Sequence, residues 1–140
     1  MLCNRAGMAA KIVVTHTISW VPASGDSIGA KGSESFTQLG NAAVARTQEF
    51  TGTTAPVDIG DVAGDKYFFV KNTAEVASPP NPTADEANTL HIDQVTPVVI
   101  VDAPYKLPPG KTMAIFTAQD TWYGITGGGT VIGFVSAIEP

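Results

Sequence analysis

The sequence predicts an all-β chain, a single-domain β-sandwich of about eight strands with a jelly-roll-like arrangement. Three observations predict it. No segment sustains the three-to-four-residue apolar spacing of a long helix. The apolar residues instead gather in short β-branched and aromatic runs, many of them alternating with polar ones. The 14 Gly and 10 Pro fall between those runs, where they mark turns. An immunoglobulin-like sandwich is the second choice, although the paired cysteines of that fold are absent.

Residues 1–10 read as a flexible N-terminal arm and residues 11–140 as the sandwich. Met8 is an alternative start to Met1. The first strand is Lys11 to Val21, with Ile12, Val14, His16 and Ile18 on one face and Val13, Thr15, Thr17 and Ser19 on the other. Pro22 to Asp26 breaks it and opens a loop through Gly32. Ser33 to Phe50 reads as strand, turn, strand, although the alanines of Asn41 to Gln48 also suit a helical turn. Pro56 to Ile59 is a short strand, and Gly60 to Asp65 is a turn. Lys66 to Asn72 carries Tyr67-Phe68-Phe69-Val70, apolar on both faces, so both faces require cover. Ser78 to Pro82 holds three prolines and reads as an extended surface loop. Asn88 to Val95 follows, with Leu90 and Ile92 inward, then Pro97 to Val101. A turn over Pro104 to Gly110 precedes strands at Lys111 to Ala118, Thr121 to Thr126 and Thr130 to Ile138.

Composition narrows the function. Charged residues make up 15% of the chain, well below the ~25% of an ordinary domain. Such a surface suits cover by neighbouring subunits. The net charge of −5 rests on eight scattered Lys and Arg. Phosphate backbones and anionic membranes call for clustered cations, so neither nucleic acid nor membrane is an expected partner. Cys3 is the one cysteine and cannot form an internal disulfide. It suits synthesis in a reducing cytoplasm.

No catalytic, cofactor or metal set emerges. His16 and His91 are the two histidines, and neither accompanies a Gly-x-Ser-x-Gly nucleophile turn. His91 lies between the inward Leu90 and Ile92, which directs it to the opposite face as a surface or interface residue. Asp58, Asp61 and Asp65 are too widely spaced for an EF-hand loop, and Asp61 and Asp65 read as turn formers. Asp85-Glu86 reads as a solvated acidic tip of the proline loop. Gly127-Gly128-Gly129 lacks the Gly-Lys-Ser/Thr of a phosphate loop and reads as a hairpin turn with positive φ angles. Trp20, Tyr67, Phe69, Trp122 and Tyr123 are large amphipathic or outward aromatic residues. For Trp20, Trp122 and Tyr123 core or rim packing is the first reading, subunit contact the second and a sugar-binding face the third; the five together are the candidate subunit interface.

The segments Val57-Asp58-Ile59-Gly60, Lys66-Tyr67-Phe68-Phe69-Val70-Lys71-Asn72 and Leu107-Pro108-Pro109-Gly110-Lys111 resemble the short jelly-roll virion proteins of tailed bacteriophages. The closing strands Thr121-Trp122-Tyr123-Gly124-Ile125 and Val131-Ile132-Gly133-Phe134-Val135 extend the likeness, which covers roughly residues 45 to 138. The N-terminal part lies outside it. The resemblance implies a non-enzymatic capsid decoration or cement protein. It would be a homo-oligomer, a trimer favoured, seated on the major capsid protein at the virion surface. Alternatives are a host-glycan-binding adhesion module of a head or tail fibre, or a tail or neck component.

Overall fold

The computed structural model describes residues 11–37 and 43–140, and the arm expected over residues 1–10 lies outside them. The chain forms two compact units, one ending at Asn41 and one spanning Ala42–Glu139.

The first unit is a two-stranded antiparallel ribbon. β1 (Lys11–Trp20) pairs with β2 (Ile28–Thr37) along its whole length, from Lys11 opposite Thr37 to Trp20 opposite Ile28. Pro22 lies in the connecting loop, and Gly25 supplies a φ of 102° there. Ile28 to Gly32, expected as loop, is strand. Its Gly, Ala and Lys residues have weak β preference, and pairing with the β-branched β1 overrides it.

The second unit is nearly all β. One antiparallel sheet runs β3-β10-β5-β8, built from β3 (Ala43–Phe50), β5 (Lys66–Asn72), β8 (Thr112–Thr117) and β10 (Val131–Ile138). The other runs β4-β9-β6-β7, built from β4 (Ala55–Pro56), β6 (Leu90–Asp93), β7 (Tyr105–Leu107) and β9 (Tyr123–Thr126). The pairings are nested. β3 meets β10, β4 meets β9, β5 meets β8, and β6 meets β7. Two further pairings, β10 with β5 and β9 with β6, join these hairpin-like pairs into four-stranded sheets.

The core follows from alternation along the strands. Phe68 and Val70 of β5, Leu90 and Ile92 of β6, Met113 of β8, and Val135 and Ala137 of β10 are buried in one cluster. Phe50 at the end of β3 is wedged between Gly124 and Gly133. A Cβ at either glycine would come within 2.7 Å of its ring, so small residues on two strands make room for one aromatic side chain.

The core-facing row of β5 begins and ends in buried polar residues, and each is satisfied. Lys66 Nζ donates to the carbonyls of Gly64 (2.6 Å) and Gln119 (3.1 Å) and to Asp120 Oδ1 (2.7 Å). Its partners hold Asp120 below the usual carboxylate range, the hydrogen bond from Lys66 acting most strongly. At the other end, Asn72 Nδ2 donates to the carbonyls of Asn88 (2.7 Å) and Leu107 (2.9 Å). Its Oδ1 accepts from Ala74 N, while its backbone bonds Lys111 and Gly110. Two motifs that read separately in the sequence, Lys71-Asn72 and Leu107-Pro108-Pro109-Gly110-Lys111, are thus one hydrogen-bonded junction.

Four further expectations change. Pro97 to Val101 is not strand; it runs into a turn over Ile100 to Asp102, with the Asp102 and Ala103 N–H groups returning to the Val99 carbonyl. Tyr105 to Leu107, expected inside a turn, is strand β7, and only Pro108 to Gly110 turns. The proline loop ends in a helix, α1 (Pro82–Ala87), with Asn81 as its N-cap and proline at its start. Gly127 to Gly129 does turn the chain, but it joins strands of different sheets and is not a hairpin. Only Gly128 has a positive φ, 124°. Gly127 and Gly129 are small for another reason: a Cβ on either would meet Glu86 O at 2.2 Å or Asn88 Oδ1 at 2.3 Å. They let the turn lie against the end of α1, where Gly129 N bonds Ala87 O at 2.9 Å.

Candidate subunit interface

The outward face of the β3-β10-β5-β8 sheet carries the largest set of unburied aromatic residues in the second unit. Register lays it out in rows. Ile138, Tyr67 and Phe116 stand side by side on β10, β5 and β8, with Ala43 beside them on β3. The next row is Ala45, Ser136, Phe69 and Ala114, and the third is Thr47, Phe134, Lys71 and Thr112. Tyr67 and Phe116 meet within the first row, 5.0 Å apart, and Phe69 and Phe134 meet edge-on at 6.1 Å across the second and third. Phe116 is 56% exposed and Ile132 43%. Charge enters this face only at one end, through Lys71 and Glu49.

The sequence candidates divide on this geometry. Tyr67 and Phe69 lie on the face, half-buried. Tyr123, also half-buried, begins β9 in the other sheet, opposite Asp93. Trp122 is corrected. It is buried, stacked on Phe68 at 5.0 Å and tilted against Tyr105 at 5.9 Å, and its Nε1 donates to the Gln119 carbonyl. It belongs to the core cluster of the second unit and is not a surface residue. Trp20 ends β1 in the ribbon, and its side chain lies outside the described residues. Phe116 and Phe134 were missed. Their strands were read, but without register nothing marked their outward rows as neighbours of Tyr67 and Phe69.

The other sheet presents a different outer face. Helix α1 is tied to it by Thr89 Oγ1 donating to the Asp85 carbonyl, and by an ion pair between Glu86 and Lys106 of β7 at 3.1 Å. Asp85 and Glu86 are therefore helix residues with partners, not a solvated loop tip. Asp85 Oδ1 also accepts from Ala77 N at 2.9 Å. His91 lies on this face between Lys106 and Ile125. It is buried, which corrects the surface or interface placement, and neither ring nitrogen has a partner. Burial pushes its pKa down, the Lys106 charge adds to this, and Glu86 opposes it.

That burial has a measurable consequence. Because His91 is held neutral in the fold, the unfolded chain binds more protons below its ordinary pKa of about 6.5. Its share of stability is intact above that pH and is lost as pH falls below it. Melting temperature should drop between pH 7.5 and 5.5, and His91→Leu should flatten the drop while leaving stability at pH 7.5 equal or higher, since no hydrogen bond is lost. A parallel fall in the variant would show that another group is responsible. Asp58 and Asp120, whose pKa values are also lowered, act only at more acid pH.

Chemistry is sparse elsewhere. Asp58, not Asp61 or Asp65, is the carboxylate seen capping its own turn. It accepts from Gly60 N at 2.9 Å and pairs with Arg46. No group of three or more His, Cys, Asp or Glu converges to hold a metal among the described residues. An open depression of about 540 Å³ beside α1 is lined by Pro82, Thr83, Glu86, Ala87 and Gly127, of which only Glu86 ionises. No described helix is long and apolar enough to cross a membrane. Comparison with family models, curated proteins and solved structures finds no match to this chain.

Proposed function

We propose that this protein is a non-enzymatic structural subunit of a bacteriophage virion, a capsid decoration or cement protein. In this reading the Ala42–Glu139 unit is a jelly roll. The nested pairing of its eight strands supports this, since a long antiparallel hairpin rolled into two sheets gives that order. The observation that carries the functional reading is the aromatic face of Tyr67, Phe69, Phe116 and Phe134. An apolar sheet face with charge only at one end is suited to contact with other protein. Copies assemble through it, as a trimer, and the assembly sits on the major capsid protein. Repeated weak contacts at symmetric sites then stiffen the shell.

The adhesion alternative loses support, because Trp122 is buried and cannot line a sugar-binding groove with Tyr123. Two experiments test the proposal. Native mass measurement should find a trimer, and Phe116→Asp should give a folded monomer, since Phe116 is exposed in the isolated protomer. An unchanged assembly in this variant would remove the face from the interface. Antibody labelling of intact particles should decorate the head surface, and labelling confined to the tail would reject the decoration role.

A further inference from the structure

His91 is 1% exposed, and neither ring nitrogen meets a hydrogen-bonding group among the described residues. Its cover comes from one short stretch of chain. Thr89, two residues earlier on the same side of β6, is also buried, and its hydroxyl donates to the Asp85 carbonyl of α1 at 2.7 Å. Lys106, directly across from His91 on β7, pairs with Glu86 of α1. Gly127, just past β9, leaves no room for a Cβ against the Glu86 carbonyl. Helix α1 therefore lies over this part of the sheet.

Residues 74–87 form a loop closed at its base. Thr73 is bonded to the Ile132 carbonyl, and Asn72 Nδ2 donates to the Asn88 carbonyl, so the two ends of the loop meet. This is the plan of an Ω-loop. No residue of the loop is buried, and Val76, its one branched apolar side chain, is 61% exposed. Polar ties hold it down: the Thr89 hydroxyl on Asp85, Gly129 N on the Ala87 carbonyl, and the exposed Glu86–Lys106 pair. The strand beneath is held differently. Leu90 and Ile92 of β6 are in the core, and β7 and β9 flank it on both sides. Segments with few buried apolar contacts open at lower free energy than core strands, so the loop can lift while β6 stays.

We propose that the 74–87 loop is an acid-released flap, and that protonation of His91 beneath it lifts it from the sheet. An imidazolium carries two N–H donors. The closed site offers neither of them an acceptor, and a buried charged donor without a partner costs far more than a neutral one. Lifting the loop gives both to water. Charged and titratable neighbours lie on every side: Lys106 on β7, Asp93 on β6, Tyr123 on β9, and Glu75, Asp85 and Glu86 in the loop. Of these only Lys106, which repels the new charge, and Glu86, which attracts it, bear on His91. The Glu86 carboxylate is half exposed and engaged by Lys106, so burial prevails and the pKa of His91 lies below its ordinary value. The closed form thus takes its proton at lower pH than the open form, which takes it near about 6.5. Between those two pKa values the open population gains up to about tenfold for each pH unit of acidification.

Hydrogen–deuterium exchange of the full chain at pH 7.5, 6.5 and 5.5, corrected for the intrinsic pH dependence of amide exchange, tests this. Peptides covering residues 74–88 should lose protection, their opening constant rising up to about tenfold per unit below about pH 6.5. Peptides covering β6 and β10 should keep theirs. His91→Leu and His91→Gln remove the titrating group in an apolar and a polar way, and either should make flap protection the same at all three pH values. Flap protection independent of pH in the native chain overturns the proposal. Loss of protection in β6 and β10 together with the flap overturns it as well, because the acid response is then global unfolding. A pH response that survives both substitutions assigns the release to a carboxylate and not to His91. None of these outcomes touches the contact face, which belongs to the other sheet.

Discussion

Asn72→Asp is expected to destabilise the protein by roughly 3–5 kcal/mol, near the top of the range for a single substitution. Asn72 is fully buried, and its amide nitrogen serves two carbonyls, of Asn88 and Leu107. A carboxylate of the same shape has no proton for either. It leaves two buried acceptors unsatisfied and sets a negative charge against both. The damage reaches three elements at once, because this residue joins the end of β5 to the C-cap of α1 and to the Pro108–Gly110 turn. Asn72→Ala should cost less, since it removes the donors without adding charge. The neighbouring Lys71→Gln, outward and exposed, should change stability by no more than ~0.5 kcal/mol. Urea denaturation monitored by circular dichroism measures all three. A loss under about 1 kcal/mol for Asn72→Asp would mean that water reaches this junction.

Trp122→Ala should cost a similar amount, about 3–5 kcal/mol. The indole fills the space between Phe68 and Tyr105, and its removal leaves a cavity between the sheets and takes one of two donors from the Gln119 carbonyl, Lys66 Nζ being the other. Trp122→Phe keeps an aromatic ring against Phe68 and should lose less. The contrast with the sheet face is what gives the prediction its use. Trp122 variants should unfold more easily yet assemble normally when folded. A Trp122→Ala chain of wild-type stability that fails to assemble would place the indole at a subunit contact after all.

The strands that alternate strongly, or are apolar throughout, were legible. Lys66–Asn72 was read to the residue, because its run is short, aromatic and β-branched and follows the Gly60–Asp65 turn. β2 was read only in part, since Gly29, Ala30, Lys31 and Gly32 become strand through pairing with β1. Helix α1 is too short to show periodicity, but its signals were present: an Asn-Pro start and an acidic first turn. The candidate face was half legible. Period-two alternation puts Tyr67 and Phe69 on one side, but only the cross-strand register brings Phe116 and Phe134 to them. The same limit left Trp122 open between core packing and subunit contact. Alternation says that it and Tyr123 face opposite ways, and only the packed structure says which of them is inside. His91 was sent to the correct side of β6. Its burial was invisible, because the helix tied to that side comes from the loop expected to be extended.

The central claim is that the aromatic side of the β3-β10-β5-β8 sheet is sealed by other copies of the chain. Hydroxyl-radical footprinting across a dilution series tests it most directly. Phe69, Phe116 and Phe134 should be protected at high concentration and oxidise readily on dilution, while Phe68 in the core stays protected throughout. Equal, rapid oxidation of Phe116 at every concentration would contradict the claim.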